Sequence, residues 1–223
     1  MTSIQVPEKE IFRYLGYRGV APDEQVKDLV QQCVSELQAR SQLRSVSRVY
    51  PLTFPGENEL LVGNEQTDCM HIHSANLYKN MKGCEKAAMF AATIGQGVDL
   101  LIRRAEASGA MTAAAVYQAA GAAMVEAWCD EVNRNIIGKE KAEGLYARPR
   151  FSPGYGDFAL EHQHDFFRML DITRNTAISL SDTLLMSPSK SVTAIIGLSR
   201  QQEPCILQGC EECASRKTCA FRR

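Results

Sequence analysis

A chain that carries the run from Met111 to about Ile137 has few ways to fold. The run is rich in alanine, the best helix former, and its small side chains let a neighbouring helix approach closely. Glu126, Asp130, Glu131 and Arg134 make its second half polar, and the stretch from Gly109 to Trp128 already carries Thr112, Gln118 and Glu126. The expectation is a packed helix in a soluble fold and no membrane segment, because nothing here approaches the roughly 18–20 consecutive apolar residues that spanning a bilayer needs.

Composition supports that frame. With 223 residues, 45% of them hydrophobic and 23% charged, the chain is long enough for a sizeable core, so one globular domain with room for a small appendage is expected. A formal net charge of -1 leaves no field to hold a polyanion, which argues against nucleic acid as a partner. The opening MTSIQVPEKEIFRYLG lacks the basic-then-apolar pattern of a secretory signal. Cys33, Cys69, Cys84 and Cys129 are scattered singly, where thiols act as small hydrophobes, and a reducing cytoplasm fits them.

Local patterns place the elements. Pro22 suits the first position of a helix that buries Val26, Leu29, Val30, Cys33, Val34 and Leu37. Val46–Phe54 and Glu59–Val62 read as strands of a hairpin around Pro55-Gly56-Glu57-Asn58. Ser74 caps a short helix through Met81, ending at Gly83. Ala87, Ala91, Ile94, Val98, Leu101, Ile102 and Ala105 share the face of a longer helix, which Gly95 and Gly97 interrupt. A turn-rich loop follows Gly144, a helix runs from near Glu161 to about Leu170, and Ser191–Leu198 is the best strand candidate.

The loop Arg148-Pro149-Arg150-Phe151-Ser152-Pro153-Gly154-Tyr155-Gly156 combines cations, prolines, glycines and an aromatic. Prolines limit the freedom lost on ordering, glycines admit a ligand to the main chain, and an arginine pairs with a carboxylate through two bonds. A rigid surface loop with solvated arginines is the plainer alternative. The segment Arg150 to Tyr155, with Glu161-His162 at a helix start, resembles the arginine, proline-glycine-tyrosine and glutamate-histidine signature of the S-adenosylmethionine-binding activation domain of cobalamin-dependent methionine synthase. Met186-Ser187-Pro188-Ser189-Lys190-Ser191-Val192-Thr193 is similar to that family's second signature, and the helices before the loop follow in the family's order. The resemblance covers roughly residues 70–200.

That resemblance implies a single C-shaped α+β domain, a twisted antiparallel sheet flanked by helices, over residues 1–200. Residues 1–65 would form its N-terminal helix and hairpin, and a Cys-rich tail would occupy 201–223. It implies cofactor contacts at Arg150, Pro153, Gly154, Tyr155, Glu161, His162, Ser191 and Thr193, with Arg150 on the methionine carboxylate. Glu126 would lie near the reacting face as the catalytic candidate; an exposed helical carboxylate is the plain alternative. The implied activity is reductive methylation of oxidised cob(II)alamin. A partner would supply the cobalamin: a methionine synthase without its own activation domain, or a related corrinoid protein. Electrons would come from a low-potential donor such as a flavodoxin or ferredoxin.

Two features depart from the family pattern. Ile195-Ile196 stand where the family has an aromatic pair, so an expected tyrosine contact to the cofactor is missing, and one extra residue separates Tyr155 from Glu161-His162. The homocysteine, folate and corrinoid modules are also missing from this sequence, so the expectation is action in trans.

Cys205, Cys210, Cys213 and Cys219 fall in a short polar terminal segment. Cys-x2-Cys spacing lets two thiolates reach one ion or cluster, and the flanking cysteines complete four-sulfur coordination. Zinc as a staple and an iron–sulfur cluster as an electron relay both fit. Asp68, Cys69, His71 and His73 form a weaker metal candidate, with ordinary polar surface as the alternative. Tyr117 and Trp128 read as core anchors. The rival to the reactivation reading is a metal-binding interaction module whose groove is vestigial.

Overall fold

The computed structural model describes residues 4–17 and 20–202 and divides into two compact units. The first takes the chain up to Val46, Ala91–Asn135 and Asp171–Val192; the second takes Ser47–Phe90, Ile136–Leu170 and the chain from Thr193 onward. In order, the elements are α1 (Glu8–Tyr14), α2 (Glu24–Arg40), β1 (Arg44–Thr53), β2 (Glu59–Asn64), β3 (Asp68–His73), α3 (Ala75–Met81), β4 (Lys86–Thr93), α4 (Gly97–Ala107) and α5 (Met111–Ala142). Then follow β5 (Tyr146–Ala147), a 3-10 turn (Leu160–His162), α6 (Gln163–Leu170), α7 (Ile172–Thr176), β6 (Ser179–Leu180), β7 (Met186–Ser187) and β8 (Ser191–Ser199). The class is α+β, as expected. Among the described residues no helix is long and apolar enough to cross a membrane.

The second unit is built on a six-stranded antiparallel sheet in the order β3-β2-β1-β4-β8-β5. The hairpin forms as its turn residues require, with Leu52 opposite Val62, and β3 adds to it with Glu59 opposite His73. The expected helix beginning near Ala87 is a correction. Lys86–Thr93 is the strand β4, and only Gly97–Ala107 is helical. Seven of its eight residues are fully buried, so the alternation that marks a strand vanishes, and Ala87 and Ala91 mimic a helical spacing. Its neighbours confirm the pairing: Leu52 N donates to Glu85 O at 3.0 Å, and Glu85 N to Leu198 O at 2.9 Å.

The first unit gathers α2, α4 and most of α5. Asp23, one residue beyond the expected Pro22 start, is the N-cap of α2 and accepts from the Val26 amide at 2.8 Å. Val30, Cys33 and Leu37 form its buried face. Tyr117 donates its hydroxyl to Glu36 at 2.6 Å, and Trp128 donates its indole N–H to the Arg44 carbonyl at 3.0 Å, so both anchors have polar partners as well as packing. Burial and the Glu36 bond push the Tyr117 hydroxyl well above its usual pKa.

Candidate functional site: the Arg148–His162 loop

The loop starts on the sheet. β5 pairs with β8 through Tyr146 opposite Ser199, the Arg148 amide donates to Gly197 O at 2.8 Å, and Phe151 and Ile195 exchange both backbone bonds at 2.9 and 2.8 Å. Arg150 is thereby seated between two bonded residues of a sheet edge. Past Phe151 the chain closes on itself, with Tyr155 N to Ser152 O at 3.2 Å, Phe158 N to Tyr155 O at 3.0 Å and Gly154 N to Phe158 O at 2.7 Å. Gly154 and Gly156 take φ of +90° and +57°, and a Cβ on Gly156 would sit 2.5 Å from Asn76 Nδ2, so only glycine serves there.

The far end of the loop is tied to α3. Asp157 accepts from the Ser74 hydroxyl and from the Ala75 and Asn76 amides at 2.7 and 3.1 Å. Partial burial works to raise the Asp157 pKa, but the Ser74 bond and the Asn76 and Ala75 amides outweigh it and hold the carboxyl below the usual range. Sequence reading assigned Asp157 no role, since its partners lie far away in the chain.

Arg150, Pro153, Gly154, Tyr155, Glu161, His162 and Thr193 all belong to the second unit. Pro153 is buried, Arg150 and His162 are half-buried, and Gly154 and Glu161 are exposed. Tyr155 is 70% exposed, so its ring is open to solvent. Thr193 is buried and donates to Gln163 Oε1 at 3.0 Å, which ties β8 to the first turn of α6.

Glu126 and Ser191 belong to the first unit, Glu126 half-buried on α5. The Ser191 hydroxyl lies within hydrogen-bond reach of the Pro188 carbonyl at 2.7 Å and of Thr93 Oγ1 at 2.9 Å, with one proton to donate between them. Beside it, the amide and hydroxyl of Ser189 donate to the Asp99 carboxylate, and Lys190 Nζ donates to Gln118 Oε1 at 2.8 Å. The polar side chains of the second signature thus secure their own strand entry. A recess of about 670 Å³ in the first unit, lined by Arg40, Arg44, Gly97 and Leu100 among others, reaches Pro188 of the second signature but none of the expected cofactor contacts.

His71 and His73 do alternate on β3, but Asp68 pairs with Arg168, and no group of three metal-ligating side chains occurs among the described residues. Cys205, Cys210, Cys213 and Cys219 lie outside the described residues. Ile195 and Ile196 are completely buried, so neither offers a ring or an edge to a ligand.

A structure described as the crystal structure of the MetH reactivation domain bound to AdoHcy superposes with a TM-score of 0.65 at 16% identity, covering 86% of this chain and 73% of that one, which establishes a shared fold. No curated protein matches the sequence. The family described as the vitamin B12 dependent methionine synthase activation domain matches residues 64–204, a span that holds both signatures, the pinned loop and the strand beneath it. The chain belongs to that family.

Proposed function

We propose that the chain binds S-adenosylmethionine on the Arg148–His162 loop and supports reductive methylation of oxidised cob(II)alamin held by a partner. The observation that carries this reading is the double anchoring of the loop, to β8 at Phe151 and to α3 at Asp157, which fixes the main chain on either side of the Pro153-Gly154-Tyr155 turn without a ligand. The family match, and the AdoHcy-bound neighbour of the same fold, support the choice of ligand.

The residues present fit that ligand. Arg150 supplies a planar fork for the methionine carboxylate. Gly154 leaves its main chain open, since an added Cβ would meet only Leu160 Cδ1, at 3.2 Å. Tyr155 offers a ring face to the nucleoside. Once bound, the sulfonium supplies an electrophilic methyl group; the protein's part is to hold it toward the cobalt, which is catalysis by proximity and needs no general acid or base.

The partner is a cobalamin-dependent methionine synthase without an activation domain of its own, or a related corrinoid protein, in the cytoplasm with a flavodoxin or ferredoxin as donor. Cys205, Cys210, Cys213 and Cys219 would bind zinc or an iron–sulfur cluster, and the cluster would relay the electron. The buried Ile195-Ile196 pair favours one rival, a binding module whose groove no longer takes the nucleotide.

Calorimetry separates the two. Binding of S-adenosylmethionine that weakens about tenfold or more in Arg150→Ala, as expected for a charged hydrogen-bonded pair, supports the proposal. No heat from well-folded wild-type protein overturns it.

A further inference from the structure

We infer that the recess of about 670 Å³ in the first unit binds an organic phosphate, an ester with a compact apolar body whose phosphoryl oxygens are taken by Arg40 and Arg44. This site is separate from the proposed S-adenosylmethionine site, whose loop belongs to the second unit.

The recess lies where the end of α2 and the start of β1 meet the turn between β4 and α4. Gly95 and Gly97 make that meeting possible. A Cβ on Gly95 would sit 2.9 Å from Gln42 Cβ, and one on Gly97 would collide with the Arg40 carbonyl. The Gln42 amide donates to Ile94 O at 2.8 Å, and the Trp128 indole N–H donates to the Arg44 carbonyl at 3.0 Å. The main chain around the recess is therefore fixed by the fold, without a ligand.

The charge of the recess is one-sided. Arg40 and Arg44 line it, and among the described residues no acidic side chain does. Arg40 meets a carboxylate through Nε alone, 3.5 Å from Glu36 Oε1, and the other Glu36 oxygen accepts from the Tyr117 hydroxyl at 2.6 Å. The terminal nitrogens of Arg40 have no partner among the described residues. Arg44 reaches Gln42 Oε1 at the outer limit of 3.5 Å and pairs with no carboxylate among the described residues. Asp99, in the first turn of α4, is occupied by the amide and hydroxyl of Ser189.

A guanidinium donates, accepts nothing and keeps its charge, so two of them beside one cavity call for an anion rich in acceptor oxygens. A phosphate monoester supplies about two negative charges and three such oxygens, more than a carboxylate offers. Leu100 and Pro188 add apolar surface to the lining, and Leu100 is left 54% exposed by the fold. The volume falls within the range of about 300–1,000 Å³ usual for small-molecule pockets and exceeds what a bare phosphate fills. An ester with an apolar body uses both parts of the lining.

The test is an amide NMR titration of the full chain with phenyl phosphate at constant ionic strength, compared with inorganic phosphate, phenol and benzoate. The amides of Gly95, Gln96 and Gly97 are expected to shift, with phenyl phosphate bound more tightly than any of the three comparisons. Arg40→Ala and Arg44→Ala should each weaken binding about tenfold, as loss of a hydrogen bond to a charged group does. Arg44→Lys, which keeps the charge and loses the planar fork, should recover part of that loss. Arg200→Ala removes the same charge from the second unit and should leave the affinity unchanged. An equal loss in Arg200→Ala would reduce the effect to net charge and overturn the inference. Displacement of phenyl phosphate by S-adenosylhomocysteine would overturn it too, by placing the phosphate on the other site. Benzoate or inorganic phosphate binding as tightly as the ester would overturn the ligand class, and wild-type shifts absent from the recess would remove the site. Arg40 and Arg44 are exposed, so their variants are expected to fold, and the wild-type titration stands without them.

Discussion

Asp157 caps a helix whose N-cap, Ser74, lies 83 residues before it. Its carboxylate takes the Ser74 hydroxyl, whose oxygen in turn accepts from the Leu77 amide at 3.0 Å, and it also takes the Ala75 amide at 2.7 Å. Ser74 thus acts as the local cap that the sequence implies and as a link to a second, distant cap. The first turn of α3 and the signature loop are one hydrogen-bonded unit.

Asp157→Ala is expected to lower stability by about 1 kcal/mol, a cap-sized effect reduced by solvent exposure, and to weaken S-adenosylhomocysteine binding as the loop loosens. Because the folded carboxyl titrates below its unfolded value of about 3.9, its contribution is present above that pH and is lost as pH falls through the lower folded value. Urea midpoints below about pH 4 should therefore fall more steeply in the wild type than in Asp157→Asn. Equal slopes would show that Asp157 is not the group concerned.

Gly197 on β8 leaves no space for a side chain. A Cβ there would lie 2.7 Å from Cys84 Sγ and 3.2 Å from Met81 Cγ. Gly197→Ala should cost about 1–3 kcal/mol by overpacking, measured by denaturant unfolding. The double variant with Cys84→Ala should recover part of that loss, because the two sites couple through direct contact.

Thr193→Val keeps shape but removes the donor to buried Gln163, and should destabilise by about 1–3 kcal/mol. Thr193→Ser should stay close to the wild type. If folded Thr193→Val also keeps its S-adenosylhomocysteine affinity in calorimetry, the residue's part in the site is to hold α6 against β8; a large affinity loss in folded protein would give it a direct contact.

Protein purified without oxygen is expected to carry metal through the four terminal cysteines. Metal analysis with visible absorbance separates one zinc per chain, with no charge-transfer bands, from a cluster with them. Paired Cys210→Ser and Cys213→Ser substitutions should abolish whichever is present. Full metal retention in that variant would remove the tail as the site.

Much of this protein was legible one residue at a time. The helix cap at Ser74, the hairpin turn at Pro55–Asn58, the alanine-rich α5, the β-branched β8 and the signature loop are written in local residue chemistry, which acts over a few positions and needs no partner. Local chemistry failed at β4. There burial on both faces erases the period, and only the strands on either side turn Lys86–Thr93 into a strand. The same limit applies to the site. Arg150 and Tyr155 stand out in the sequence because their residue types are unusual together, whereas Asp157 under Ser74 looks like an ordinary surface acid. Its role comes from hydrogen bonds that exist once the chain has brought the loop and α3 together, and a carboxylate's partner is set by that geometry.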